Sequence, residues 1–189
     1  MKNDKDFDIL VGKILFGYEQ FCLNKFLHDK VKNPYYKNYQ VVWDKILVSL
    51  EVGFWLELAK TFEKPNENFS KTLSIYYLPN ICFKGYIRKL EKIRKLRNKA
   101  IGHNDLKTLR NWEKFLTKLG LKIDDAEKIF ERTIEVLDKF CKTYISSSEN
   151  LKSRFDKAKL DIQNSVESFI KYSDRDGSAE ELKTTRISS

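Results

Sequence analysis

The stretch "RKLRNKAIGHND", residues 94–105, contains the features on which the fold and the function of this chain depend. It continues an apolar pattern with three- and four-residue spacing, which predicts a helix from about Ile81 to Gly102. At about 100° per residue, one face of this helix collects an apolar stripe: Phe83, Tyr86, Leu90, Ile93, Ala100 and Ile101. Arg97 lies near the middle of that stripe, and His103, one of two histidines in the chain, follows six positions later.

An arginine on an apolar face requires an explanation, because an unpaired buried guanidinium is very costly. Arg97 could pair with an acid such as Glu51 or Glu57, or the stripe could face a cleft or a second subunit at this level. On a straight helix Arg97 and His103 diverge by about 120°. A bend at Gly102, or an antiparallel crossing of two copies of the helix, would bring them together. Both routes would concentrate the imidazole and the guanidinium at one place, and the second, a homodimer around this helix, would also explain an arginine on an apolar stripe.

The same apolar spacing predicts helices along the rest of the chain, and no segment has the alternation typical of strands. The expected helices cover residues 5–30, 39–62, 70–78 (short), 106–120, 124–144 (with Asp124 as the N-terminal cap) and 151–169. In the second of them, Val42, Ile46, Phe54 and Leu58 are expected to face the core. The sequence thus predicts an all-α, antiparallel helical bundle. We assign residues 1–145 to the bundle, 146–172 to an additional C-terminal helix and 173–189 to a disordered tail.

Positive charge is concentrated around the quoted stretch. The chain has a formal net charge of +9, and the segment from Lys84 to Arg110 holds ten basic and only two acidic side chains, a net charge of +8. Such a patch attracts polyanions, of which nucleic acid is the most common. A solvated helix face would explain the charge equally well. If a nucleic acid binds here, we expect Arg94, Lys95 and Lys99 to contact its backbone.

Several classes of protein are excluded by the same sequence. The three cysteines, Cys22, Cys82 and Cys141, form no CxxC motif or Cys/His cluster, so we expect reduced thiols, no bound metal and no cofactor. The N-terminal "MKNDKDFD" is polar where a signal peptide would be apolar. The most apolar run, residues 46–59, contains two glutamates and is too short to span a bilayer. We expect a cytoplasmic protein with no membrane partner.

A histidine and an arginine side chain together are suited to one kind of reaction. Histidine transfers protons near neutral pH, and arginine binds phosphate through a permanently charged fork. Without a metal-ligand cluster, the pair Arg97 and His103 suits RNA cleavage in which the 2′-hydroxyl of the RNA is the nucleophile. The alternative for His103 is a structural role at a helix C-terminus, where it interacts with the helix dipole and free carbonyls.

The segment "RNKAIGH" resembles the R-polar-x-x-x-x-H signature of HEPN-superfamily ribonucleases. With the preceding helix "WDKILVSLEVGFWLELAKTF", it is most similar to the abortive-infection AbiU-type branch, over about Phe7 to Tyr144. The resemblance implies a dimeric helical bundle and metal-independent RNA cleavage that leaves a 2′,3′-cyclic phosphate. It also implies a role in phage defence or a toxin–antitoxin system, with an antitoxin or defence-system protein as a partner. Arg97 and His103 would be the catalytic pair, and Asn98 the supporting polar residue.

The resemblance has one departure, and two other functions stay open. HEPN toxins that a nucleotidyltransferase antitoxin silences carry a tyrosine two residues after the histidine, where this chain has Asp105. Regulation by modification of that tyrosine is therefore not implied. The chain could instead be a HEPN-like binding or scaffold module without turnover, or a nonspecific nucleic-acid-binding protein that uses only the basic patch.

Overall fold

The computed structural model describes residues 4–31, 39–63, 74–79, 81–102, 111–145 and 150–184. Within these ranges the chain forms six α-helices and no strand, which confirms the all-α prediction. The helices are α1 (Asp4–Val31), α2 (Gln40–Thr61), α3 (Ile87–Gly102), α4 (Trp112–Leu119), α5 (Ile123–Phe140) and α6 (Leu151–Thr184). Short 3₁₀ turns occupy Ile75–Tyr77 and Lys84–Tyr86, and a π-helical turn at Cys141–Ile145 extends α5.

Helices α1 and α2 pack side by side in opposite directions. Gly17 of α1 lies beside Glu57 of α2, and the Asn24 side-chain amide donates to the carbonyl of Leu47 at 2.8 Å. The residue number therefore rises along one helix as it falls along the other. Without a side chain, Gly17 lets the two backbones approach closely, because a Cβ added there would lie 2.8 Å from Glu57 Cβ. This close contact fixes the level at which the two helices cross.

The close approach at Gly17 gives a matched pair of stability predictions. We expect Gly17→Ala to lower the free energy of unfolding by about 1–2 kcal/mol, because the clash with Glu57 Cβ outweighs the better helix propensity of alanine. Gly12, on the same helix, has no atom within 4 Å of an added Cβ. Gly12→Ala should therefore raise the free energy of unfolding by about 0.5–1 kcal/mol. Urea denaturation of both variants checks this, and equal effects of the same sign would contradict the close packing.

The core is rich in aromatic rings that join α1 to its neighbours. Phe21 packs edge-on against Phe54 of α2, with ring centroids 5.4 Å apart, and lies 5.5 Å from Phe130 of α5. Tyr18 contacts both Phe130 and Phe155 of α6. Burial raises the pKa of the Tyr18 hydroxyl above its ordinary range, and it raises the pKa of the neighbouring Cys22 thiol to about 11. These groups are consequently neutral parts of the core.

The start of α5 differs from the sequence prediction. Asp124 is not the N-terminal cap, because the helix begins one residue earlier, at Ile123. Asp125 accepts a hydrogen bond from the backbone N–H of Lys122 at 3.1 Å, and its own N–H donates to the Lys122 carbonyl. Asp125 also forms an ion pair with Lys89 of α3. Burial raises the pKa of Asp125, but the Lys89 ammonium and the Lys122 N–H lower it by more, so the net shift is downward.

The first half of α2 is less buried than the sequence pattern indicated. Phe54 and Leu58 lie in the core as expected, whereas Val42 and Ile46 are 56% and 37% exposed. The reason is that α2 meets the rest of the bundle mainly through its second half, which also buries Trp55 and Ala59. Trp43 contacts Phe169 of α6 at 6.3 Å between ring centroids, at the margin of the core.

The last helix is longer than the sequence pattern predicted. Helix α6 continues to Thr184, past residue 172, where the boundary of the tail was placed. The extension past residue 172 is "SDRDGSAEELKT", and its last seven residues include alanine, leucine, lysine and two glutamates, which have high helix propensity. In the described ranges, no helix combines the length and the apolar character needed to cross a membrane.

Candidate functional site

Helix α3 presents its apolar side to the bundle and its basic side to solvent. Leu90, Ile93 and Leu96 are almost completely buried, with exposures of 1% or less. The buried stripe thus passes through Leu96, which the sequence pattern did not assign to it. Arg97 consequently lies at the edge of the stripe and not near its middle, and its side chain is 25% exposed. This position explains how an arginine can occupy a helix that faces a core.

Two neighbours hold the Arg97 guanidinium. Its Nε and Nη2 atoms donate to Oδ1 of Asn98 at 3.2 and 2.9 Å, and Nη1 forms an ion pair with Glu63. An acid partner, one of the explanations that the sequence allowed, is thus present, but it is Glu63 and not Glu51 or Glu57. Glu63 lies just after the end of α2, and its side chain is 32% exposed. The guanidinium is therefore both oriented and partly accessible.

Arg94 lies one helical turn before Arg97 and is fixed by a different contact. Its Nη2 atom donates to the hydroxyl oxygen of Tyr76 at 3.3 Å. Tyr76 belongs to the 3₁₀ turn that follows α2 in the chain, and that turn is tied to α2 because Ser74 Oγ donates to the Thr61 carbonyl at 3.0 Å. Glu63 and Tyr76 thus bring two successive arginines of α3 against one end of α2.

The other predicted RNA-binding residues lie on the solvent side of α3. Lys95 is exposed, and Lys99 is exposed with its Nζ atom 5.4 Å from the centre of the Phe115 ring of α4. This cation–π contact orients Lys99 and leaves its charge available to an anion. The structure brings Arg94, Lys95, Arg97, Asn98 and Lys99 together on one length of a single helix.

His103 lies outside the described residues, so its predicted position relative to Arg97 stays a prediction. In the described ranges, no three His, Cys, Asp or Glu side chains are grouped so that they could hold a metal ion. Two clefts, of about 400 and 590 Å³, open elsewhere on the bundle, and their described linings contain none of the predicted site residues. Lys95, Asn98 and Lys99 are exposed, so the described part of the candidate site is a basic surface.

A half-buried acid, Glu51, lines the larger of these clefts. Burial raises the pKa of its carboxyl group, and the nearby indole N–H groups of Trp55 and Trp112 lower it by less. Both indole nitrogens are buried, and neither donates a well-formed hydrogen bond to a described group. Glu51 is therefore held in a site that favours its neutral form.

This environment predicts a pH-dependent stability. Between the pKa of the unfolded chain, about 4.3 for glutamate, and the raised folded value, the folded state holds a proton that the unfolded state has lost. The contribution of Glu51 to the free energy of unfolding consequently falls as pH rises through this window. We expect Glu51→Gln to stabilise the protein by on the order of 1 kcal/mol at neutral pH and to have little effect near pH 4.

Thermal or urea unfolding at several pH values checks the expected effect of Glu51→Gln. Glu91→Gln is the matched control, because Glu91 is an exposed carboxylate on α3. If Glu51→Gln destabilised the protein at neutral pH while Glu91→Gln did not, the carboxylate would be a stabilising partner and the assignment would be wrong.

Comparison with known proteins identifies the motif segment. The model of the AbiU2 family of HEPN proteins matches residues 81–169, which is almost half of the chain. The matched segment begins before α3, contains the Arg97–His103 motif and extends into α6. No curated protein and no solved structure matches significantly. The family match confirms the resemblance drawn from "RNKAIGH" and indicates a function related to abortive infection. Residues 81–169 are therefore assigned to an AbiU2-type segment of the HEPN superfamily.

Proposed function

We propose that the protein is a metal-independent endoribonuclease that acts in phage defence or in a toxin–antitoxin system. The observation that carries this proposal is the Arg97 guanidinium, which Asn98 and Glu63 orient at the edge of a basic helix inside the family segment. An oriented, partly accessible arginine is suited to binding a phosphate through two parallel hydrogen bonds.

In the proposed reaction, the 2′-hydroxyl oxygen of one nucleotide attacks the adjacent phosphorus atom. A bond forms between O2′ and phosphorus, and the bond from phosphorus to the 5′-oxygen of the next nucleotide breaks. His103 removes the 2′-hydroxyl proton, and a second proton must reach the departing 5′-oxygen. Arg97 stabilises the additional negative charge that develops on the phosphoryl oxygens. The products are a 2′,3′-cyclic phosphate and a 5′-hydroxyl.

We further propose that the active site is composite and forms in a homodimer. On a straight continuation of α3, the side chains of Arg97 and His103 point about 120° apart. An antiparallel crossing of two motif helices would place Arg97 of one subunit near His103 of the other. It would also supply two histidines, one to remove the first proton and one to donate the second. Glu63 competes with phosphate for Arg97, so binding of RNA would replace this ion pair.

A second candidate function is RNA binding without turnover. The observation that favours it is that Arg97 already has a carboxylate partner in the structure, which lowers its availability to a phosphate. A protein of this kind would use Arg94, Lys95 and Lys99 as backbone contacts, and its affinity would fall steeply with salt. It would also keep its affinity after loss of His103.

A pair of matched substrates separates the two candidates. One is a labelled RNA, and the other has the same sequence with every 2′-hydroxyl methylated. The ribonuclease proposal predicts that the first is cleaved and that the second is bound but stays intact, because its nucleophile is blocked. Cleavage of both would contradict attack by the 2′-oxygen, and binding of both without cleavage would favour the second candidate.

A further inference from the structure

Two exposed aromatic side chains lie beside the basic helix. Tyr76 and Tyr77 are 36% and 38% exposed, although they occupy a turn whose other side chains are buried. Ile75 and Leu78 anchor the turn in the core, with exposures of 0% and 4%. The hydrogen bond from Ser74 Oγ to the Thr61 carbonyl fixes the turn to the end of α2. The tyrosines are therefore held at the surface by a rigid support.

This turn is tied to the motif helix. The hydroxyl oxygen of Tyr76 accepts a hydrogen bond from Arg94, which is one helical turn from Arg97. Arg97 forms an ion pair with Glu63, which lies just past the end of α2. The tyrosine turn is fixed to the same end of α2. The contact with Arg94 therefore places the Tyr76 ring next to the proposed phosphate-binding position, and Tyr77 follows it in the same exposed turn.

We propose that Tyr76 and Tyr77 form a stacking platform for unpaired bases, so that the ligand of this surface is single-stranded RNA. This inference rests on the proposed function, and it specifies the substrate class. Proteins that bind single strands combine a positively charged track for the backbone with aromatic side chains that stack on the bases. In duplex RNA the bases are stacked on each other, and proteins contact mainly phosphates and 2′-hydroxyls. Exposed tyrosines next to arginines therefore fit a single strand better than a duplex.

The platform has a further consequence for the strand. Because every base has an aromatic face, stacking tolerates many sequences. We therefore expect cleavage to depend on whether a region is unpaired more than on its sequence. A base stacked on Tyr76 would also hold the adjacent phosphate near Arg94 and Arg97.

The test uses the full chain and a 12-nucleotide, 2′-O-methylated RNA with a fluorescent label, as a single strand and annealed to its complement. We expect the double variant Tyr76→Leu/Tyr77→Leu to bind the single strand about tenfold more weakly. Binding of the duplex should change less than twofold. Tyr76→Phe keeps the ring and loses only the hydroxyl, so it should bind the single strand nearly as well as the wild type does.

Tyr39→Leu provides the matched control. Tyr39 is 59% exposed and precedes the first residue of α2, at the opposite end from the tyrosine turn. A helix of this length separates the two ends by about 33 Å. Tyr39→Leu should leave binding of the single strand unchanged, so that a general loss of surface aromatics can be distinguished from loss of the platform.

Other outcomes would overturn the inference in distinguishable ways. If the wild type cleaves RNA but the double variant binds both substrates normally, the platform is wrong and the proposed function stands. Equal weakening for single strand and duplex would also overturn the platform. A lower molecular mass of the double variant in solution would show that the tyrosines contact a second subunit instead. If the wild type neither binds nor cleaves RNA, the proposed function fails, and this inference fails with it.

Discussion

Arg97→Ala is expected to lower the rate of RNA cleavage by about 100- to 1,000-fold, the usual effect of removing one group that stabilises charge in a transition state. His103→Ala should lower it by about 100- to 10,000-fold, because it removes the proposed proton-transfer group. Arg97→Lys keeps the positive charge but loses the planar fork, so it should restore only part of the activity. Initial rates on a labelled RNA measure all three effects.

Arg132→Ala is the appropriate control for these variants. Arg132 is an arginine of α5 that pairs with Glu135 and is not part of the motif. Its substitution should change the cleavage rate less than twofold. A loss with Arg132→Ala as large as that with Arg97→Ala would show that positive charge in general, and not the motif arginine, supports the activity. Circular dichroism would confirm that each variant is folded.

Phe130→Ala is expected to lower the free energy of unfolding by about 3–5 kcal/mol, as deletions of large buried aromatic side chains do. Phe130 is 1% exposed and contacts Tyr18 and Phe21 of α1. It lies within the AbiU2-type segment, whereas both of its partners precede that segment. The size of the effect therefore also measures how strongly residues before 81 are integrated into the same core.

Phe16→Ala is the matched control for the core prediction. Phe16 is on α1, close in sequence to Tyr18, but its side chain is 53% exposed. Its removal should change the free energy of unfolding by less than about 0.5 kcal/mol. Urea denaturation that is followed by helical circular dichroism measures both variants. Similar effects of Phe16→Ala and Phe130→Ala would contradict the described packing of α1 on α5.

The helical architecture could be predicted from the sequence because apolar spacing depends only on neighbouring residues in the chain. The core positions Phe54, Leu58 and Ile93 followed from the same pattern. The exposure of Val42 and Ile46 did not, because it depends on which half of α2 meets the other helices. Similarly, the sequence offers two adjacent aspartates, Asp124 and Asp125, as candidates for the cap of α5. Only the start of the helix at Ile123 and the position of Lys89 select Asp125.

The site could be predicted only in part for the same reason. Spacing and residue type singled out Arg97 and the basic residues of α3, and the family resemblance added Asn98. An acid partner for Arg97 was one of the explanations that the sequence allowed. The identity of that acid, Glu63, depends on how the chain leaves α2, and Tyr76 reaches Arg94 only because the turn after α2 folds back. No periodic pattern connects these residues. The apolar stripe predicted that Arg97 would be more buried than it is. Leu96 occupies the middle of the buried face of α3, so Arg97 lies at its edge.

The proposed reaction is tested most directly by the chemical ends of the RNA fragments that purified protein produces in the presence of EDTA. The proposal predicts cleavage under these conditions, with a 2′,3′-cyclic phosphate on one fragment and a 5′-hydroxyl on the other. It also predicts that neither product forms with Arg97→Ala or His103→Ala. Cleavage that EDTA abolishes and Mg²⁺ restores, with 3′-hydroxyl and 5′-phosphate ends, would contradict it.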